Sequence, residues 1–278
     1  MTEMETTAVS LLEAIPWRPH PEVWMLVVVM IGGYWWLITR IGPLVVDEEE
    51  TPVTGRQVLA FVSAVGSIWL VSDWPLHDIA EEALLSVHMI EHLVLALIVP
   101  PLILFGIPQW AWRLLLEPVV PMVRRLTHPV VGLFSFNVLF AVTHWPPYIG
   151  LQNSSEAIHF LAHAVLILSA FLMFWPVFSP LPELPRMAPA PRIGYLFLQT
   201  ILPTVPASFL TFTSTNLYPT YAGSERLWGL DPVTDQQAAG ILMKLGGGLI
   251  LWLMITVVFV TWVRNERAHD LAAMTADR

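Results

Sequence analysis

The sequence predicts an all-α integral membrane protein of seven transmembrane helices, with the N-terminus outside and the C-terminus inside. Three observations predict it. Of the 278 residues, 55% are hydrophobic and only 13% charged, and the mean hydropathy is +0.64, the balance of a bilayer protein rather than a soluble domain. Seven apolar runs are each long enough, or nearly so, to cross ~30 Å of hydrocarbon. With the N-terminus outside, the inner segments hold Arg40, Arg56, Arg113, Arg124, Arg125, Arg186, Arg192, Arg264, Arg267 and Arg278, and the outer ones only Arg18 and Arg226. That is the positive-inside bias.

Residues 1–22 read as a polar outer tail with a short interfacial helix near Leu11–Ile15. The tail is acidic and lacks the basic start of a secretory signal, so it is expected to stay in the mature chain. The transmembrane domain is 23–263, and a cytoplasmic tail follows over 264–278. Span one covers 23–38, with Tyr34, Trp35 and Trp36 as interface anchors. Gly42-Pro43 is expected to break it ahead of a solvated acidic run, Asp47 to Glu50. Span two is 57–72. Span three, 83–105, should be kinked or ended by Pro100-Pro101, because proline clashes with the carbonyl one turn back. A loop over 106–128 leads to span four, 129–145, and span five is 157–177. Span six, 193–212, is interrupted by Pro203 and Pro206; a polar, aromatic loop precedes span seven, 237–263.

Inside this frame the segment from Val71 to His92 maps without a gap onto Val142 to His163 at an offset of seventy-one residues. Trp74-Pro75 answers Trp145-Pro146, His88 and His92 answer His159 and His163, and Asp73 answers His144. The chain therefore reads as a parallel two-helix repeat, spans 2–3 against spans 4–5. Each histidine pair has i,i+4 spacing, which puts both imidazoles on one helix face. At ~1.5 Å per residue, His88 lies about 8 Å and His92 about 14 Å below the outer end of span three. His144 sits at the outer end of span four, so five histidines share one depth near the outer face.

Composition narrows the chemistry. The absence of cysteine excludes disulfides, thiolate metal sites and iron–sulfur clusters. A net charge of −9 excludes nucleic acid as a partner. The negative excess falls on the outer segments, which hold twelve acidic residues and two arginines, a surface that concentrates cations. Neutral imidazole suits copper, zinc, iron and nickel, and ionisable residues within spans mark function by default. The expected metal ligands are His88, His92, His144, His159 and His163, with Met89 and Met243 as weaker, soft candidates. Asp73, Glu91 and Asp235 are expected to line or tune the site. Glu156 follows Asn153-Ser154-Ser155 and reads as a helix start. Lys244, deep in span seven, is expected either to pair with Glu91 or to snorkel outward.

His88-Met89-Ile90-Glu91-His92, Pro100-Pro101 and Gly106-Ile107-Pro108 together resemble the multi-span CtaG family of cytochrome c oxidase assembly proteins. So do His144-Trp145-Pro146, Phe174-Trp175-Pro176 and Asp235-Gln236-Gln237-Ala238-Ala239-Gly240. The resemblance covers roughly residues 20–263. In that family glutamine more often stands where this chain has Glu91, and an apolar or aromatic residue where it has Lys244. The resemblance implies a bacterial inner-membrane assembly factor, not an enzyme, that binds copper and serves a haem–copper oxidase. Its partners would be an oxidase subunit or a copper donor at the outer face, with a homodimer left open. The rivals are a haem-binding electron-transfer protein, a two-metal carboxylate–histidine enzyme, a metal transporter and a non-metal scaffold for oxidase subunits. The two-metal enzyme asks for more buried carboxylates than Glu91, and Lys244 argues against a through-path for ions.

Overall fold

The computed structural model describes residues 15–47, 49–152, 155–222 and 230–276; most of the expected interfacial helix near Leu11–Ile15 lies outside the described residues. Among these, all regular structure is helical. In chain order the helices are α1, Pro21–Val45; α2, Gly55–Ser72; α3, Leu76–Glu82; and α4, Leu85–Gly106. Then come α5, Gln109–Leu116; α6, Val120–Leu126; α7, Pro129–Thr143; α8, Pro146–Gln152; and α9, Glu156–Phe178. The chain ends in α10, Pro189–Ile201; α11, Thr204–Phe212; and α12, Pro232–Met274.

Six helical stretches are long and apolar enough to cross a membrane: α1, α2, α4, α9, α10 with α11, and α12. A seventh counts only if the stretch Gln109–Leu126 and α7, bent by 75° to one another, make one broken span. The expected fourth span is thus the weak one. The 15 residues of α7 reach only about 22 Å at 1.5 Å per residue. The expected loop over 106–128 is largely helical, as α5 and α6. There the exposed Arg113 pairs with Glu183, and Arg124 donates to the Glu183 carbonyl oxygen. α12 runs 43 residues, about 65 Å, and passes straight through Arg264 and Arg267.

Local chemistry accounts for the helix ends. Thr54 and Gln57 form a reciprocal capping box at the start of α2. His128 Nδ1 accepts from the Val130 N–H at the start of α7. α9 begins at Glu156 with Ser155 as its N-cap residue, as the sequence predicts. The prolines do not end their helices. Pro100-Pro101 neither ends nor breaks α4: a π-turn over Val94–Ile98 precedes it and the helix continues to Gly106. Gly42-Pro43 is carried in the same way by a π-turn over Leu37–Ile41. Widening the turn moves the carbonyl that would clash with the ring, so the chain stays helical through it.

α4 is the hub. Over its most apolar window 56% of the residues are buried, against 6–33% for the other spans. It packs on α2, α9 and α12, while α7 packs on α9, α10 on α12, and α1 on the outside of α2. Small residues permit the closest approaches. A Cβ on Gly106 of α4 would stand 2.7 Å from the Phe61 nitrogen of α2, and one on Gly132 of α7 2.6 Å from the Leu172 oxygen of α9. Of the three aromatics expected to anchor α1, Trp35 and Trp36 are exposed. Tyr34 instead turns inward, stacks on Phe61 at 3.9 Å and donates to the Gly106 carbonyl oxygen.

Candidate metal centre

The N-terminal half of α4 is polar on one face and sealed. Glu91 is 1% exposed, and His88 and His92 are both buried. α9 packs beside α4 and brings His159 and His163 to the same face. The two i,i+4 pairs meet within one chain: His92 Nε2 lies 3.2 Å from His163 Nε2, and His163 Nε2 lies 2.9 Å from His159 Nε2. The rings of His88 and His92 are 4.3 Å apart. Two nitrogens bound tetrahedrally at ~2.0 Å to one ion stand roughly 3.3 Å apart, so the array has ligand spacing. Ligand atoms of His88, His92 and His163 all lie within 4.8 Å of one another.

The short helix α3, which packs on α4, supplies two groups that sequence reasoning left outside the site. Glu81 Oε1 accepts from His88 Nδ1 at 3.0 Å and lies 3.2 Å from His159 Nε2. It joins His159 and His163 in a second ligand group and His77 and Glu91 in a third. Burial would raise the Glu81 carboxyl, but the charge of His88 and the hydrogen bonds from His159 and His88 outweigh it and hold Glu81 far below the usual carboxylate range. His77 Nδ1 lies 3.2 Å from Glu91 Oε1. Burial opposes its protonation, yet the hydrogen bond and charge of Glu91, with the charges of Glu81 and Asp78 behind them, push His77 up to about 9.

Two expectations are corrected by these contacts. Glu91 is not the sole carboxylate at the depth of the histidines, because Glu81 reaches down from α3. Nor does Glu91 pair with Lys244. His77 takes the Glu91 carboxylate, while the Lys244 ammonium stands 5.8 Å from the centroid of the Phe212 ring. The signal for Glu81 was its i,i+4 spacing from His77 on one helix face; nothing local tied that face to α4.

His144 lies beside the array, its ring 5.7 Å from that of His92. Its Nδ1–H donates to the Phe140 carbonyl oxygen at 2.6 Å, which leaves Nε2 as the bare nitrogen of the neutral ring. Nε2 is buried and has no hydrogen-bond partner. The residue belongs to none of the three ligand groups. Asp235 serves the site through backbone. From the first turn of α12 it accepts from the Leu85 N–H at 2.7 Å and the Ser86 N–H at 3.1 Å, capping α4, whose own N-cap residue Leu84 makes no side-chain bond. Asp73 faces other work, accepting from the Trp24 indole at 2.9 Å, the Trp69 indole at 2.7 Å and the Trp74 N–H.

The loop after α11 packs over the ends of α7 and α3 beside the array. Gln236 accepts from the Leu217 N–H and donates to Thr215. Tyr218 donates to the His144 carbonyl oxygen at 2.8 Å, and Tyr221 to that of Ala80 at 3.1 Å. Both tyrosines line a pocket with His88, His92 and His144; neither was expected there.

No curated protein and no solved structure matches the chain. A family model described as cytochrome c oxidase caa3 assembly factor (Caa3_CtaG) matches residues 32–265, a stretch that contains every residue of the array. The chain belongs to the family of cytochrome c oxidase caa3 assembly factors.

Proposed function

We propose that this membrane protein is a copper-binding assembly factor for a haem–copper oxidase, holding copper as cargo in the histidine array near the outer face of a bacterial inner membrane. The observation that carries the reading is the run of imidazole nitrogens from His92 through His163 to His159, spaced at 3.2 and 2.9 Å with Glu81 on its outer flank. Imidazole with a carboxylate suits copper, and the oxidase follows from the family. His88, His92, His159 and His163 hold the ion, and Glu81 orients His88 and His159. The assembly-factor family supports a carrier, and we read the chain as a carrier rather than an enzyme.

The positive-inside count supports an outer N-terminus and an inner C-terminus. The two-helix repeat draws support from the element boundaries. α2 ends at Ser72 and α7 at Thr143, and α4 starts at Leu85 and α9 at Glu156, each pair separated by the same interval as the histidines. With this topology the array opens outward, where an oxidase subunit or a copper donor would meet it. A haem between α4 and α9 fits poorly. Its two axial nitrogens need about 4 Å with a macrocycle between them, whereas those of His92 and His163 face one another at 3.2 Å.

The test is elemental analysis with an absorption spectrum on protein purified in mild detergent after copper loading. Wild type is expected to carry at least one copper ion per chain and no Soret band, and the His88→Ala/His159→Ala variant to carry one ion fewer. Metal in neither folded protein leaves a scaffold for oxidase subunits; a Soret band makes it a haem protein.

A further inference from the structure

Below the array a second group of residues has no role in the reading above. A cavity of about 40 Å³ is lined by His144, His92, Met89 and Met243. Both methionines are nearly sealed from the surface, at 3% and 5% exposure. They come from different helices, α4 and α12, and pack in one apolar cluster with Leu85, Ala207, Leu210 and Ala239. His144 is 5% exposed, and its Nε2 is buried without a partner. An unpaired buried nitrogen is costly to keep, and here its tautomer is fixed: because Nδ1–H is spent on the Phe140 carbonyl oxygen, Nε2 presents a lone pair. A backbone carbonyl on the far nitrogen is the usual support of a metal-bound histidine.

Resting on the copper reading, we infer that His144 Nε2 and the thioethers of Met89 and Met243 form a second, softer metal site that takes Cu(I). One imidazole and two thioethers are a soft donor set without net charge, which favours a monovalent soft ion over zinc or Cu(II). The carboxylate-flanked array is the harder of the two. His92 stands between them, with Nε2 toward His163 and its ring beside that of His144. Lys244 also lines the cavity, but its ammonium is drawn to the Phe212 ring. Phe212 is 77% exposed at the end of α11, so the charge lies at the rim. The two sites meet at His92, which belongs to the array and also lines the cavity.

The test is X-ray absorption at the copper edge on the full chain in detergent, loaded with Cu(I) under reducing conditions, with copper counted in the same sample. Wild type is expected to hold two copper ions per chain and to give sulfur scattering. Met89→Leu/Met243→Leu, close in volume and so tolerated by the core, is expected to hold one ion and give nitrogen and oxygen scattering alone. His88→Ala/His159→Ala is expected to keep the sulfur signal. A copper-loaded wild type without sulfur scattering overturns this inference and leaves the copper reading standing. So does sulfur scattering unchanged in the double methionine variant. A wild type that binds no copper under either condition overturns both.

Discussion

Two parts of the molecule are laid out alike and do different work. α2, α3 and α4 form a helix, a short helix and a helix; α7, α8 and α9 repeat that order. The long helices of both halves bring a histidine pair to the same face. The short ones diverge. α3 places His77 and Glu81 against Glu91, His88 and His159. At the corresponding interval α8 carries Tyr148 and Gln152, neither of which brings a metal-binding charge. The turns before the short helices diverge as well. Asp73 holds two indoles that tie α1 to α2, whereas His144 presents a bare nitrogen to the cavity. Two similar runs of helices thus carry a one-sided array, in which His77, Glu81 and Glu91 come from the first run.

That asymmetry can be broken at Glu81. Glu81→Gln keeps the shape of the side chain but removes the charge that holds His88 and His159. Copper affinity is expected to fall roughly 10–100-fold, as measured by competition with a chelator in detergent; an unchanged affinity would restore equal standing to the two halves. The next effect is on the frame. Asp235→Ala leaves the first-turn N–H groups of α4 without their acceptor and is expected to cost about 0.5–2 kcal/mol of stability. Thermal unfolding in detergent reads that loss, while copper stoichiometry is expected to stay at the wild-type value. The smallest effect falls on Asp73→Asn. It should leave copper affinity within about twofold and cost roughly 1 kcal/mol through weaker acceptance from Trp24 and Trp69. A large copper defect there would move Asp73 from the frame into the site.

The histidine pairs were legible because i,i+4 spacing on any helix puts two side chains on one face, whatever the helix packs against. The helix start at Ser155 was legible for the same local reason. Glu81 was not. It lies seven residues before His88 but on a separate helix, and only the turn between α3 and α4 brings its carboxylate over both histidine pairs. Asp235 was expected to line the site, and its part as the cap of α4 rests on contacts made 149 and 150 residues apart. Pro100-Pro101 and Gly42-Pro43 do not end their helices because a π-turn just before each relieves the clash.

By itself the sequence determined the bilayer as solvent, the all-helical architecture that follows from satisfying backbone groups there, and the face on which each imidazole pair lies. These are consequences of composition and of the helical period, both of which act within one or a few turns. The tertiary structure decided which groups complete the site. It chose Glu81 over Asp73 as the partner carboxylate, His77 over Lys244 as the partner of Glu91, and the tautomer of His144. It also reduced the fourth span to a short helix set at 75° to its neighbour. Such choices depend on how separate helices pack, and an interaction between helices leaves no period in the chain from which to read it.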